Sequence, residues 1–294
     1  MPHKQYQGRP LPRPDEELVD QGLGFDLGTL MGRRRMLKAL GLGITGMGLS
    51  SCGASSSPAP PAAPSAALTP AEAVASANGE IPDETAGPYP GDGSNGPNVL
   101  DDSGIVRGDI RSSFGETSGT AEGVPMTLEL VIQDLAGGGK PFAGVAVYVW
   151  HCDREGRYSL YSDGAQDQNY LRGVQIADAA GRVRFTSIFP ACYAGRWPHI
   201  HFEVYPDQGS ITDAGNTIAT SQVALPDDVS RQVYAQSGYE QSIRNMSGLS
   251  LRGDNVFRDG GANQLGAATG NVTNGYTISL TVGVDTTTTS RGGR

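Results

Sequence analysis

The sequence predicts an all-β fold: a β-sandwich core with long loops and at most one or two short helices. Three observations predict it. Of 294 residues, 42 are Gly and 19 are Pro while only 18% are charged, a composition for turns and short strands rather than long helices. Several segments alternate polar and apolar residues with period two or are rich in β-branched and aromatic residues. Gly and Pro clusters punctuate these segments, as in a sandwich.

The elements follow in chain order. Within Met126–Ile132, Thr127 and Glu129 alternate with Leu128 and Leu130, and Gly137-Gly138-Gly139 then breaks the strand. Val145–Trp150 is β-branched and aromatic. Arg182–Phe185 follows the turn Asp178-Ala179-Ala180-Gly181. His199–Tyr205 alternates again, Ser221–Ala224 is a shorter strand, and Tyr276–Val284 closes the fold. One helix is expected over Asp227–Ser237, capped by Asp227 or Asp228, with Val229, Val233 and Tyr234 facing inward. No internal repeat is present.

Three regions differ in composition. Residues 33–38 read Arg-Arg-Arg-Met-Leu-Lys, and a short apolar, Gly-rich stretch runs from Ala39 to Leu49. That is the layout of an export signal, and the Arg pair resembles a twin-arginine signal. Leu49-Ser50-Ser51-Cys52 resembles a bacterial lipobox, in which Cys52 is acylated; a plain signal peptide cut nearby, or a short core helix, is the alternative. Residues 1–52 are therefore expected to be a twin-arginine-type lipoprotein signal. Residues 53–80, rich in Ala, Pro and Ser, read as a disordered linker, either a tether or simply a leader. Residues 81–294 are expected to form one compact domain, folded from about Ile81 to about Asp285. The expected location is the bacterial periplasm or cell surface, with a lipid anchor through Cys52.

Charge narrows the partners. The net charge is −9, which argues against general nucleic-acid binding because that needs a basic face. Removing residues 1–51 takes away seven basic and five acidic side chains, so the remainder is more acidic still. No run of eighteen apolar residues occurs, which excludes a multi-pass membrane protein.

The chemistry concentrates around Pro198-His199-Ile200-His201. On a strand, residues two apart share a face, so both imidazoles converge, and His is the commonest metal ligand. Alone, the pair fits a metal site or an ordinary surface or core pair. The neighbours sharpen it: Tyr193 and Arg196 just upstream, Gly156-Arg157-Tyr158, Leu171-Arg172-Gly173, and Glu84-Thr85-Ala86-Gly87-Pro88-Tyr89. With these motifs the chain resembles the intradiol ring-cleavage dioxygenases, the catechol and protocatechuate type, with good continuity from Glu84 to His201.

The resemblance implies a mononuclear non-haem Fe(III) held by Tyr158, Tyr193, His199 and His201. Anionic oxygen suits this small, hard ion; a metal deprotonates phenols whose free pKa lies near about 10. It further implies that a catechol binds through both hydroxyls and displaces Tyr158 or Tyr193. Ring cleavage by O2 between the two hydroxylated carbons then gives a muconate-type diacid, without external reductant or organic cofactor. Arg196 would stabilise developing negative charge, and Gln222 matches the family's pocket Gln. Trp150 and Trp197 read as packing, and His151 as structural. Cys152 and Cys192 flank the ligand segments, so a disulfide between them is expected in an oxidising compartment. Two other readings remain: a non-catalytic iron- or aromatic-binding module of the same fold, and a zinc hydrolase using His199 and His201 with Glu203 as the near carboxylate. Bound Fe(III) tyrosinate would colour the protein red-brown; zinc would not.

Overall fold

The computed structural model describes residues 76–290 and, by backbone alone, two short strands near the N-terminus. Those two, β1 (Gln5–Tyr6) and β2 (Arg9–Pro10), pair antiparallel. The export-signal motif, the lipobox and most of the linker lie outside the described residues. No helix among the described residues is long and apolar enough to cross a membrane.

Two sheets form the body. The first holds β3 (Pro125–Asp134), β4 (Lys140–Pro141), β7 (Arg182–Ile188), β10 (Ala267–Asn271) and β11 (Gly275–Val284). Its last strand, β11, runs parallel to β3, so the two ends of the domain are stitched together, Leu280 opposite Leu130. The second sheet has the order β6 (Arg172–Ile176), β5 (Ala146–Trp150), β8 (His199–Tyr205) and β9 (Ala219–Ala224). Between the sheets lies an aliphatic core: Leu128, Leu130 and Phe185 face Val147, Val149, Ile200, Phe202 and Val223. Each such side chain contributes roughly 1.5–3 kcal/mol on burial.

The second sheet is buried on both faces; every residue of β5, β8 and β9 is buried. In His-Ile-His-Phe-Glu-Val-Tyr the aliphatic and Phe positions enter the sandwich core. The alternate positions face a layer of loops, where Tyr89, Tyr148, Trp150, Tyr158 and Tyr205 form a second, aromatic cluster. Period-two patterning thus separates two interiors rather than inside from outside.

The predicted strands all appear, mostly extended by a few residues. Besides the two-residue strands β1, β2 and β4, two longer strands escaped the pattern. β6 carries Arg172 and Gly173 where a strand would show β-branched residues. Gly173 is required, since a Cβ there would lie 2.5 Å from Ile110 Cγ2. β10 is Ala-Ala-Thr-Gly-Asn, held by antiparallel pairing to β11 and not by its own propensity. Three short α-helices occur among the described residues: α1 (Asp227–Tyr234), α2 (Glu240–Met246) and the single turn α3 (Gly261–Gln264). Val229, Val233 and Tyr234 are buried as expected, but neither Asp caps α1. Its N-cap is Pro226, and Asp227 sits in the first turn, bound to Arg231 with Nε–Oδ2 at 2.8 Å. Acidic residues there still favour the positive end of the helix dipole.

The expected disulfide does not form: Cys152 and Cys192 are both free and buried. Cys152 belongs to the aromatic cluster, its sulfur 3.7 Å from the Ala191 carbonyl. Cys192 belongs to the sandwich core, its sulfur 3.5 Å from the Arg196 carbonyl. The two segments come close, as the motifs required, but the side chains enter different packing layers. Burial pushes the Cys192 thiol up to about 12, so it is not a reactive thiolate.

Candidate metal centre

The site lies on the loop-covered face of the second sheet. Strand register places Arg172, Trp150, His201 and Gln222 opposite one another, one row across four strands. His199 is one step along the same face of β8. Tyr158 arrives on the loop after β5. There Ser162 Oγ accepts from the Tyr158 amide at 2.9 Å. Tyr193 and Arg196 arrive on the loop between β7 and β8.

The structure brings the four expected ligand residues together. His199 Nε2 and His201 Nε2 are 3.1 Å apart, and Tyr193 Oη is 3.1 Å from His199 Nε2. The Tyr158 ring stands edge-on to both Tyr193 and His201, with centroids 6.0 and 6.1 Å away. Donor separations near 3 Å are those of neighbouring ligands on one ion with bonds of about 2.1 Å. His199 Nδ1 donates to the Trp197 carbonyl at 2.6 Å, which leaves Nε2 with its lone pair toward the site. Trp150 lies flat on His201, centroids 4.9 Å apart and planes 8° from parallel.

Electrostatics fit a cation here. Burial and the Arg196 charge hold His199 well below the usual imidazole range, and burial with His199 and Arg196 does the same to His201. Both imidazoles are held in the neutral form that a metal ligand needs. Burial, reinforced by Tyr193, holds the Tyr158 phenol well above its usual range, so only a strong local positive charge would ionise it. The Tyr158 hydroxyl is also buried without a hydrogen-bond partner of ordinary geometry, as is His201 Nδ1. A buried phenol oxygen beside a second phenol and two neutral imidazoles is a donor set suited to a trivalent ion.

Arg196 is buried beside the four. Its Nε donates to Asp254 Oδ2 at 3.0 Å and its Nη2 to Gln222 Oε1 at 2.7 Å. Gln222 Nε2 donates in turn to the Thr85 carbonyl at 3.0 Å. Gln222 thus adjoins the site through Arg196. Asp254 was not legible in the sequence; it also accepts from the Trp197, Val256 and Phe257 amides. Glu84 is pushed up to about 8 by burial and by Asp259, against the pull of Arg196. His151 uses both ring nitrogens elsewhere, donating from Nδ1 to the Cys152 carbonyl and accepting at Nε2 from Ser187 Oγ, at 2.8 and 2.7 Å.

The segment 84–89 closes over the imidazoles. Gly87 has φ of +76°, and a Cβ there would lie 3.3 Å from His201 Cε1. Gly87→Ala is expected to strain the turn, push the His201 ring and weaken metal binding about tenfold, measured by metal titration against the parent protein.

Among the described residues no group of three or more His, Cys, Asp or Glu side chains is placed to hold a metal. The zinc-hydrolase reading needs Glu203, and that carboxyl is engaged: it accepts from Tyr205 Oη at 2.8 Å and from Thr220 Oγ1 at 3.4 Å. Burial pushes Glu203 up to about 8. Such an acid costs stability as pH rises from its unfolded value toward its folded one. Glu203→Gln is therefore expected to raise the melting temperature near about pH 8 and to leave it unchanged near about pH 4, in thermal melts at both.

Comparison with known proteins agrees. A family model described as Dioxygenase matches residues 96–213. Catechol 1,2-dioxygenase of Pseudomonas sp. (strain EST1001) is 39% identical over 72 residues, 24% of this chain and 23% of that protein. Chlorocatechol 1,2-dioxygenase of Rhodococcus opacus is 38% identical over 55 residues, 19% of this chain and 21% of that one. The matched stretches thus span less than a quarter of these relatives' length. An intradiol ring-cleavage dioxygenase from Tetranychus urticae superposes with a TM-score of 0.58 at 22% identity, over 72% of this chain and 98% of that one, and so shares the fold. The chain thus carries a segment similar to the dioxygenase family model and shares the fold of an intradiol ring-cleavage dioxygenase.

Proposed function

We propose that this chain is a non-haem Fe(III) dioxygenase that cleaves catechol-type rings between the two hydroxylated carbons with O2, giving muconate-type diacids. The observation that carries the reading is the convergence of Tyr158, Tyr193, His199 and His201 beside the buried Arg196. These four residues would hold the iron. When bound, Fe(III) supplies the electron withdrawal that opens a catecholate ring to O2.

The chain's own residues supply the rest. The Trp197 carbonyl fixes the tautomer of His199. The Tyr158 and Tyr193 hydroxyls give up their protons on loading, and either phenolate oxygen can then receive a proton from a catechol hydroxyl. Arg196, held by Asp254 and Gln222, presents a fixed positive charge where the ring becomes electron-rich. The closed aromatic layer of Tyr89, Trp150 and Tyr158 limits water around these groups.

The test is Fe(III) loading followed by oxygen uptake with catechol, protocatechuate, hydroxyquinol and caffeate. A red-brown protein that consumes O2 and forms a ring-opened diacid supports the reading. Iron bound without colour, or colour without turnover on any catechol, counts against it; the latter points to the binding-module alternative.

We further propose export and tethering through Cys52, on the strength of Arg33-Arg34-Arg35-Met36-Leu37-Lys38 and Leu49-Ser50-Ser51-Cys52. Cys52→Ala is expected to move the protein from the membrane to the soluble fraction. Retention with membranes would sink the lipid anchor.

A further inference from the structure

Arg172, at the end of β6, is 1% exposed and pairs with no carboxylate among the described residues. Burying a cation is costly unless hydrogen bonds compensate. Arg172 makes five. Nε donates to Ser159 Oγ at 3.0 Å. Nη1 donates to the Pro90 carbonyl at 2.8 Å and to Tyr148 Oη at 3.0 Å. Nη2 donates to the Tyr89 and Ser159 carbonyls, both at 3.0 Å. Four of the five acceptors belong to the two segments that frame Tyr158; the fifth, Tyr148 Oη, comes from β5. Ser159 is its chain neighbour, and the Tyr89 ring packs on its ring with centroids 4.9 Å apart.

The backbone is strained at the same place. Among the described residues, Leu160 and Leu171 are the two non-glycine residues with positive φ, at +72° and +57°. One follows Ser159 and the other precedes Arg172. Side chains disfavour this left-handed backbone, and such conformations persist where surrounding contacts over-determine them. Gly91 completes the fit, because a Cβ there would lie 2.8 Å from Arg172 Nη1 and 3.2 Å from Leu160 Cδ1. The Arg172 carbonyl is itself gripped by Arg107, from Nε at 3.0 Å and Nη2 at 2.7 Å.

We propose that Arg172 is a positioning residue for the Tyr158 phenol. Its five-point grip ties the 89–91 segment and the 158–162 turn to the same sheet row as His201, and so sets where the Tyr158 hydroxyl meets the imidazoles. The inference rests on the reading of Tyr158 as an iron ligand. It needs the planar fork of arginine; a lysine ammonium, a single point on a flexible stem, cannot span acceptors from two segments with fixed geometry.

Arg172→Lys keeps the charge and removes the fork. With the full chain loaded with Fe(III) alone, the variant is expected to bind iron about tenfold more weakly. The tyrosinate charge-transfer band shifts and weakens, and turnover falls more than KM rises. In the metal-free protein, amide exchange in 158–162 accelerates while the 146–150 strand stays protected. A band, affinity and exchange pattern matching the parent would overturn the proposal. Where Arg172→Lys does not fold, Ser159→Ala removes the Oγ acceptor of Arg172 Nε, together with the bond from that Oγ to the Tyr170 carbonyl; a smaller shift in the same direction supports the proposal, and an unchanged band and exchange pattern overturns it. A parent protein that binds no iron or stays colourless sinks the dioxygenase reading instead, and the metal-free exchange comparison still decides whether Arg172 holds the turn.

Discussion

Tyr158→Phe is expected to abolish most activity while leaving the metal-free fold as stable as the parent, or slightly more so. The hydroxyl it removes is buried and makes no hydrogen bond of ordinary geometry. The ring it keeps makes the contacts to Tyr89, Tyr193 and His201. Removing an unsatisfied buried polar group is worth roughly 1–3 kcal/mol in favour of the fold, offset by a small cavity. The site loses an anionic oxygen donor. Altering groups that merely orient ligands lowers metal affinity or activity about 10–100-fold, so losing a ligand should lower both by at least about 100-fold. Calorimetric melts of metal-free protein, iron titration and oxygen uptake check the two halves separately. A large stability loss with iron affinity intact would show Tyr158 to be a packing residue.

Asp254→Ala is expected to cost the most stability of any single change near the site. Asp254 is the carboxylate bound to buried Arg196, and its oxygens also accept three backbone amides. Removing one partner of a buried pair leaves the other charge uncompensated, typically about 3–5 kcal/mol. Catalysis should fall as well, because the guanidinium would then lose its carboxylate partner and keep its bond to Gln222. The double variant Asp254→Ala, Arg196→Met is expected to recover part of the stability but none of the activity, since Met fills space without charge. Urea titration of the two singles and the double gives the coupling energy. Simple additivity would mean that the pair does not act as a unit.

How far the sequence reaches is clearest at β8. His199–Tyr205 was legible as a strand because its alternation is strict, and the shared face of His199 and His201 follows from that alone. What alternation cannot reveal is that the other side of a sheet is covered by loops; the local pattern is the same whether the second face meets water or Tyr89 and Tyr158. Arg172 was visible within Leu171-Arg172-Gly173, but its partners lie up to 83 residues away, beyond any local signal. Asp254 sits in an irregular loop with no periodicity to mark it. The disulfide expectation failed for a related reason. The family resemblance implies that the segments carrying Tyr158 and Tyr193 lie close, but which layer each sulfur enters depends on side-chain direction.

The doubly covered second sheet has a practical corollary for redesign. Its strands act as a partition wall with machinery on one side and ballast on the other. A bulkier Val149 or Phe202 would press through the backbone onto Trp150 and His201, although both point into the sandwich core, away from the site. Efforts to change what the candidate site admits should therefore edit the covering segments, around residues 84–91 and 158–162, and leave the wall untouched.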